Sequence, residues 1–351
     1  MSGSAQPGLG RSVDWQFAAT VGARLARPGP PATAYTRQQA VDDLALAARA
    51  AEGPVRDVTR LSGDDAVQEA RIVDRAQWIR SASASMRVMS GGTDTPSNPI
   101  AGRAAGVQTG AVLAFISSGI LGQYDPFAAG SDGTAGALLL VYPNVIAVER
   151  QLRLPPKDFR LWVCLHEVTH RVQFTANPWL AGYMSQALSV LTADGSDGVM
   201  TLVGRLADFV TARGEPTRGE VPGGVVGLLR ALQSEPQRAA LDQLLVLGTL
   251  LEGHADYVMD AVGPAVVPSV GLIRRRFDDR RQRKQPPLQR LLRALLGVDA
   301  KLNQYTRGRA FVAGVVNLVG MEGFNTVWTG PETLPRPDEI ENPQRWIDRV
   351  L

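Results

Sequence analysis

The sequence predicts a mainly α-helical fold with a small β element. Apolar residues recur at helical spacing through most of the 351 residues. One short apolar run bounded by turn residues, Ala135 to Tyr142, has the character of a strand. Gly- and Pro-rich punctuation cuts the rest into pieces of helix length.

Residues 1–12 are small, polar and glycine-rich, which predicts a disordered N-terminus followed by a single domain over 13–351. Three amphipathic helices are expected to open it: Val13 to Leu25, Thr36 to Ala51 and Asp64 to Met89. Gly91 to Gly106 reads as a loop, Val107 to Leu121 as a helix, and Asp125 to Thr134 as a flexible stretch. After the strand, Asn144 can cap a short helix ending at Leu152, and Pro155 and Pro156 introduce a helix that must end before Pro178. Downstream the pattern stays helical, with breaks at Ala193 to Gly198, Arg213 to Gly224, Gly263 to Pro268, Pro286 to Pro287 and Gly320 to Pro337. Neither an internal repeat nor a long linker suggests a second domain.

Composition narrows the functional classes. Charged residues make up 20% of the chain and the net charge is only +3, so no polyelectrolyte surface demands nucleic acid. The basic run Arg274 to Lys284 is interrupted by Asp278 and Asp279 and fits a solvated helix face. The N-terminus lacks a charged segment followed by an apolar core, and the runs Ala135 to Tyr142 and Leu244 to Leu251 are shorter than the roughly 20 residues that span a bilayer. Together with the single cysteine, Cys164, this predicts a cytoplasmic protein without a membrane partner.

The chemistry concentrates in Leu165-His-Glu-Val-Thr-His170. His166 and His170 are one helical turn apart and share a face, so both imidazoles can reach one zinc ion. Glu167 sits beside the first of them, where its carboxylate can activate a zinc-bound water without displacing it, as a general base does. Apolar Leu161-Trp-Val-Cys-Leu165 on the N-terminal side predicts a buried helix, which makes a chance surface occurrence of the motif a poorer account.

A hydrolytic zinc site takes three protein ligands. The chain's only other histidine, His254, lies in Leu251-Glu-Gly-His-Ala-Asp-Tyr257, which offers both Glu252 and His254. On a helix Glu252 and Asp256 share a face, and His254 points about 200° away from Glu252. The reading adopted is Glu252 as third ligand, with Asp256 accepting a hydrogen bond from the distal nitrogen of a ligand histidine. His254 stands as the alternative ligand. Tyr257, Tyr305, Arg171 and Arg307 are the candidate oxyanion donors. The strand Ala135 to Tyr142 is either an edge for an extended substrate or a core strand, and Cys164 is a core residue.

The Glu252 and Asp256 pairing resembles the glutamate zincins of the thermolysin kind, although Leu251 and Ala255 stand where those enzymes commonly have Asn and Ser. The metzincin pattern is not met, since Gln173 and Ala176 replace its Gly and third His. Over Val13 to Leu351 the chain also resembles a largely actinobacterial family of zincin-like metallopeptidases, some linked to the biosynthesis of a deazaflavin coenzyme. The resemblance rests on Val73-Asp-Arg-Ala-Gln-Trp78, Leu121-Gly-Gln-Tyr-Asp-Pro126, Tyr142-Pro-Asn144, Leu165-His-Glu-Val-Thr-His-Arg-Val-Gln-Phe174, Pro178-Trp-Leu180, Glu252-Gly-His-Ala-Asp-Tyr-Val-Met-Asp260 and Gly320-Met-Glu-Gly-Phe-Asn325. It implies a zincin-like metallopeptidase fold with an N-terminal helical region, one zinc ion and hydrolysis of a peptide or other amide bond. A catalytically silent zincin-like binding or scaffold protein is the competing expectation.

Overall fold

Asp14 accepts a hydrogen bond from the Phe17 N–H, and helix α1 (Trp15–Leu25) starts there. The computed structural model describes residues 9–63, 68–129, 135–192, 235–282 and 298–351. Residues 9–12, expected to belong to a disordered terminus, form a 3-10 turn, because the Trp15 indole donates to the Gly10 carbonyl and Ser97 bonds to Arg11. Helix α2 (Ala34–Thr59) runs past its expected end at Ala51 and through Pro54. Its buried stripe of Leu44, Ala48, Ala51, Val55 and Thr59 keeps helical spacing to the last turn, and that packing outweighs the proline.

The expected helix from Asp64 to Met89 is interrupted by strand β1 (Arg71–Val73). Asp74 then closes a reciprocal capping box with Gln77 and starts α3 (Arg75–Met89). Helix α4 (Pro99–Ser117) takes the second half of the expected loop, since Asn98 caps it and Pro99 occupies its first turn. Gly106 and Gly110 are tolerated there because α1 lies against them. A Cβ on Gly106 would come within 2.9 Å of the Asp14 carbonyl oxygen. Two segments, Pro99–Ser117 and Arg307–Trp328, are long and apolar enough to cross a membrane by length and composition, a property the shorter runs named from the sequence lack.

The flexible stretch expected from Asp125 contains most of strand β2 (Gly122–Ala129), which pairs antiparallel with β3 (Ala135–Val141). Strand β3 pairs in parallel with β1 on its other side, giving the order β1-β3-β2. The apolar run Ala135 to Tyr142 is therefore a core strand, and β2 forms an edge of the described sheet. Helix α5 (Tyr142–Leu152) follows at once, so Asn144 lies inside it and does not cap it. Its buried amide instead accepts from Arg75 and donates to the Ser117 and Ile120 carbonyls, tying α5 to the loop before β2.

Helix α6 (Pro156–Ala176) opens on the expected proline pair and stops before Pro178. It is buried along most of its length, packed against α2, β2 and, further on, α8 (Glu235–Ala261). Helix α7 (Trp179–Thr192) precedes α8, and α9 (Gly263–Val266), α10 (Val270–Gln282), α11 (Val298–Phe324) and α12 (Pro343–Val350) follow it. Gly253 on α8 faces Gly308 on α11 without room for a side chain between them, which locks the middle of α8 in place. One large apolar cluster, including Leu165, Val168, Leu250, Leu251, Phe311, Phe324 and Trp346, joins these helices. The expected breaks at Ala193 to Gly198, Arg213 to Gly224 and Pro286 to Pro287 lie outside the described residues.

Candidate metal centre

Helix α6 points His166 and His170 the same way, as their four-residue spacing requires, and α8 crosses in front of them with Glu252. The three side chains are 14–18% exposed, so water can reach them although the helices are buried. The Nε2 atoms of the two histidines are 3.2 Å apart. The Glu252 Oε2 atom is 3.3 Å from His166 Nε2 and 3.6 Å from His170 Nε2. Ligands bound tetrahedrally at zinc's usual bond lengths are separated by about 3.3 Å. The donor set therefore fits one zinc ion in chemistry and in spacing.

Each histidine has a different neighbour behind it. His170 Nδ1 meets Gln173 Oε1 at 2.9 Å, while His166 Nδ1 faces the Met259 sulfur at 3.2 Å. Burial opposes protonation of His170, but the carboxylates of Glu252 and Glu167 and the Gln173 contact outweigh it and hold its pKa above the ordinary value. Glu167 is buried on the same helix. Strand β2 passes directly against its side chain at Gly122, where a Cβ would lie 2.6 Å from the Glu167 Cγ.

The Asp256 expectation needs correction. Its carboxylate accepts from Arg274 on α10 at 2.7 Å, not from a ligand histidine. Arg274 also binds Asp260 at 2.8 Å and lies 5.4 Å above the Trp162 ring, one turn before His166. The aspartates of α8 are thus drawn toward a cation that α10 supplies, and the basic run from Arg274 begins with a residue engaged inside the protein. His254 lies outside the cluster of Glu252, His166 and His170. It is fully buried, 5.2 Å and 5.4 Å from the Phe324 and Trp328 rings, and burial, aided by His170, depresses its pKa to about 3.

Of the four oxyanion candidates, Arg171 is paired with buried Glu52 and Arg307 with Glu341 at the surface. The Tyr305 side chain lies outside the described residues, and Tyr257 is half-buried against the core on α8. Cys164 is fully buried and makes its contact with the Leu44 carbonyl, away from the histidine face.

Gln173, Met259, Arg274 and Gly122 also border the site, though none is among the site residues expected from the sequence. A signal existed for Gln173, which stands three residues after His170 and therefore on the same face. The other three meet the site only through tertiary packing.

A family model described as zincin-like metallopeptidase matches residues 13–347. A chain from Chloroflexus aurantiacus, whose crystal structure is described as that of a presumed hydrolase with a novel fold, is 30% identical, superposes with a TM-score of 0.63 and matches 96% of this chain and 98% of its own. No curated protein matches the chain.

Proposed function

The chain belongs to the zincin-like metallopeptidase family, and on that premise we propose that it is a zinc-dependent hydrolase of peptide or other amide bonds. The observation that carries this reading is the convergence of His166 Nε2, His170 Nε2 and a Glu252 oxygen at tetrahedral ligand spacing, with Glu167 next in sequence to one ligand. Three protein ligands leave a fourth position for water, the arrangement of hydrolytic rather than structural zinc. Zinc held by these three residues would supply Lewis-acid chemistry beside the reacting bond.

The chain's own residues do the rest. Glu167 takes the proton from the attacking water and returns it to the leaving nitrogen, so one carboxylate serves as base and then as acid. Its place is fixed by β2, whose Gly122 leaves the carboxylate a slot against the backbone. Strand β2 lies at an edge of the described sheet, and an extended peptide aligned along it would run past Glu167.

The test is a Glu167→Gln variant, assayed on a peptide library and by metal analysis. The reading expects zinc content equal to wild type and turnover reduced by about 10² to 10⁴. Wild-type protein purified without zinc that fails to bind it, or turnover unchanged in the variant, overturns it.

A further inference from the structure

We propose that Gln173 is the positioning residue of this centre, and that the Leu251 carbonyl and the His254 ring orient it so that His170 presents a bare Nε2 to the metal. The proposal rests on the zinc reading of His166, His170 and Glu252.

Donors and acceptors fix the orientation of the Gln173 amide. A backbone carbonyl only accepts, so the Gln173 atom 3.0 Å from the Leu251 oxygen is the amide nitrogen. The Gln173 oxygen then faces His170 Nδ1 at 2.9 Å. That oxygen also only accepts, which places the imidazole proton on Nδ1 and a lone pair on Nε2, the atom turned toward His166 and Glu252. An inverted amide would set oxygen against oxygen at Leu251. The backbone group that makes this choice belongs to the residue next to Glu252, so the same contact couples the two ligand-bearing helices.

The second amide hydrogen of Gln173 reaches His254 Nδ1 at 3.0 Å. His254 must accept there, and its proton therefore sits on Nε2. That buried Nε2 has no hydrogen-bond partner among the described residues, and the ring lies beside those of Phe324 and Trp328. A phenyl ring would fill the same place without an unsatisfied donor. What a histidine adds at this position is the acceptor that Gln173 uses. The third histidine of the chain thus acts on the centre through Gln173, and not as a ligand.

The experiment titrates zinc alone into metal-free wild type, Gln173→Met, His254→Phe and His254→Asn, using a competing chromophoric chelator, with thermal melting of each and nitrogen-15 NMR of the histidines in metal-free wild type. Gln173→Met should bind zinc about 10- to 100-fold more weakly. His254→Phe should weaken binding in the same direction with its fold intact, and His254→Asn, whose side-chain oxygen can accept from Gln173, should recover most of the loss. In metal-free wild type, at a pH high enough for a neutral ring, His170 should carry its single proton on Nδ1. Equal affinity in all four proteins, His254→Asn as weak as His254→Phe, or a His170 proton on Nε2 overturns the positioning role. Should Gln173→Met fail to fold, the two His254 variants and the NMR decide alone. Wild type that binds no zinc overturns the metal reading instead, and the His170 tautomer then still decides for or against Gln173.

Discussion

Gly122 stands so close to Glu167 that a methyl group on it would lie 2.6 Å from the glutamate Cγ and 2.8 Å from Cδ. Backbone and flexible side chain cannot both stay where they are if that methyl is added, and the side chain is the softer of the two. Gly122→Ala should therefore displace the Glu167 carboxylate while leaving His166, His170 and Glu252 in place. A shift of about 1 Å in a group that moves a proton costs on the order of 10²-fold in rate. The expected outcome is a fall in kcat of about that size with zinc affinity within a few-fold of wild type. Full activity in Gly122→Ala would show that the carboxylate does not depend on this strand.

Arg274 bridges Asp256 and Asp260 on α8 and covers Trp162 on α6, so it ties the helix of Glu252 to that of His166 and His170. Removing it leaves an aspartate that is 5% exposed without its cation. Breaking a buried pair in this way costs about 3–5 kcal/mol. Arg274→Met should lower stability by roughly that amount in urea unfolding, with zinc affinity little changed in the folded protein. Asp256→Asn should act in the same direction with a smaller effect, because the amide oxygen can still accept from Arg274. If Asp256→Asn instead weakened zinc binding tenfold or more without loss of stability, Asp256 would be a partner of a ligand histidine after all.

The contrast between Asp256 and Gln173 shows what is legible in a sequence. The shared face of His166 and His170 follows from their spacing on one helix, and the common face of Glu252 and Asp256 follows in the same way. Which partner each residue then meets depends on neighbours far away in the chain. Asp256 turns to Arg274, 18 residues on, and Gln173 reaches His254, 81 residues on. The mainly helical class with one small sheet is legible for a related reason, since amphipathic spacing is local. Strand β2 is not, because Gly122 and Asp125 carry no strand signal and only pairing with β3 extends them. The glycines of α4 mislead in the opposite sense: their local cost is offset by close contact with α1.

Cys164 lies two residues before His166, yet its thiol is fully buried and turned to the Leu44 carbonyl. Burial, and to a lesser degree the Glu167 charge, pushes its pKa well above the ordinary thiol value, so almost no thiolate forms in the folded protein. A chromogenic aromatic disulfide should therefore label Cys164 only as fast as the protein opens, and immediately in denaturant. Rapid stoichiometric labelling of the native protein would contradict this placement. Because the thiol takes no part in the proposed reaction, Cys164→Ala should affect stability rather than turnover.

Near the C-terminus, Glu339 accepts from Arg349 through both carboxylate oxygens, at 2.6 and 2.8 Å, and from the Arg336 backbone N–H at 2.8 Å. Burial alone would raise its pKa, but these hydrogen bonds and the Arg349 charge outweigh it and hold it below the ordinary glutamate value. A carboxylate whose folded pKa lies below its unfolded one adds stability that is fully present above the unfolded pKa. That contribution disappears as pH falls from the ordinary glutamate range through the lower folded value. Glu339→Gln removes the titrating group and keeps its size. Wild type should therefore be more stable than this variant in urea at about pH 7, with the gap narrowing at about pH 4 and closing at lower pH. The Arg349 side of the clamp, which also holds the Glu332 and Leu334 carbonyls, remains in the variant, so the difference isolates the carboxylate. A gap that stays constant with pH would mean that Glu339 acts through packing and not through its charge.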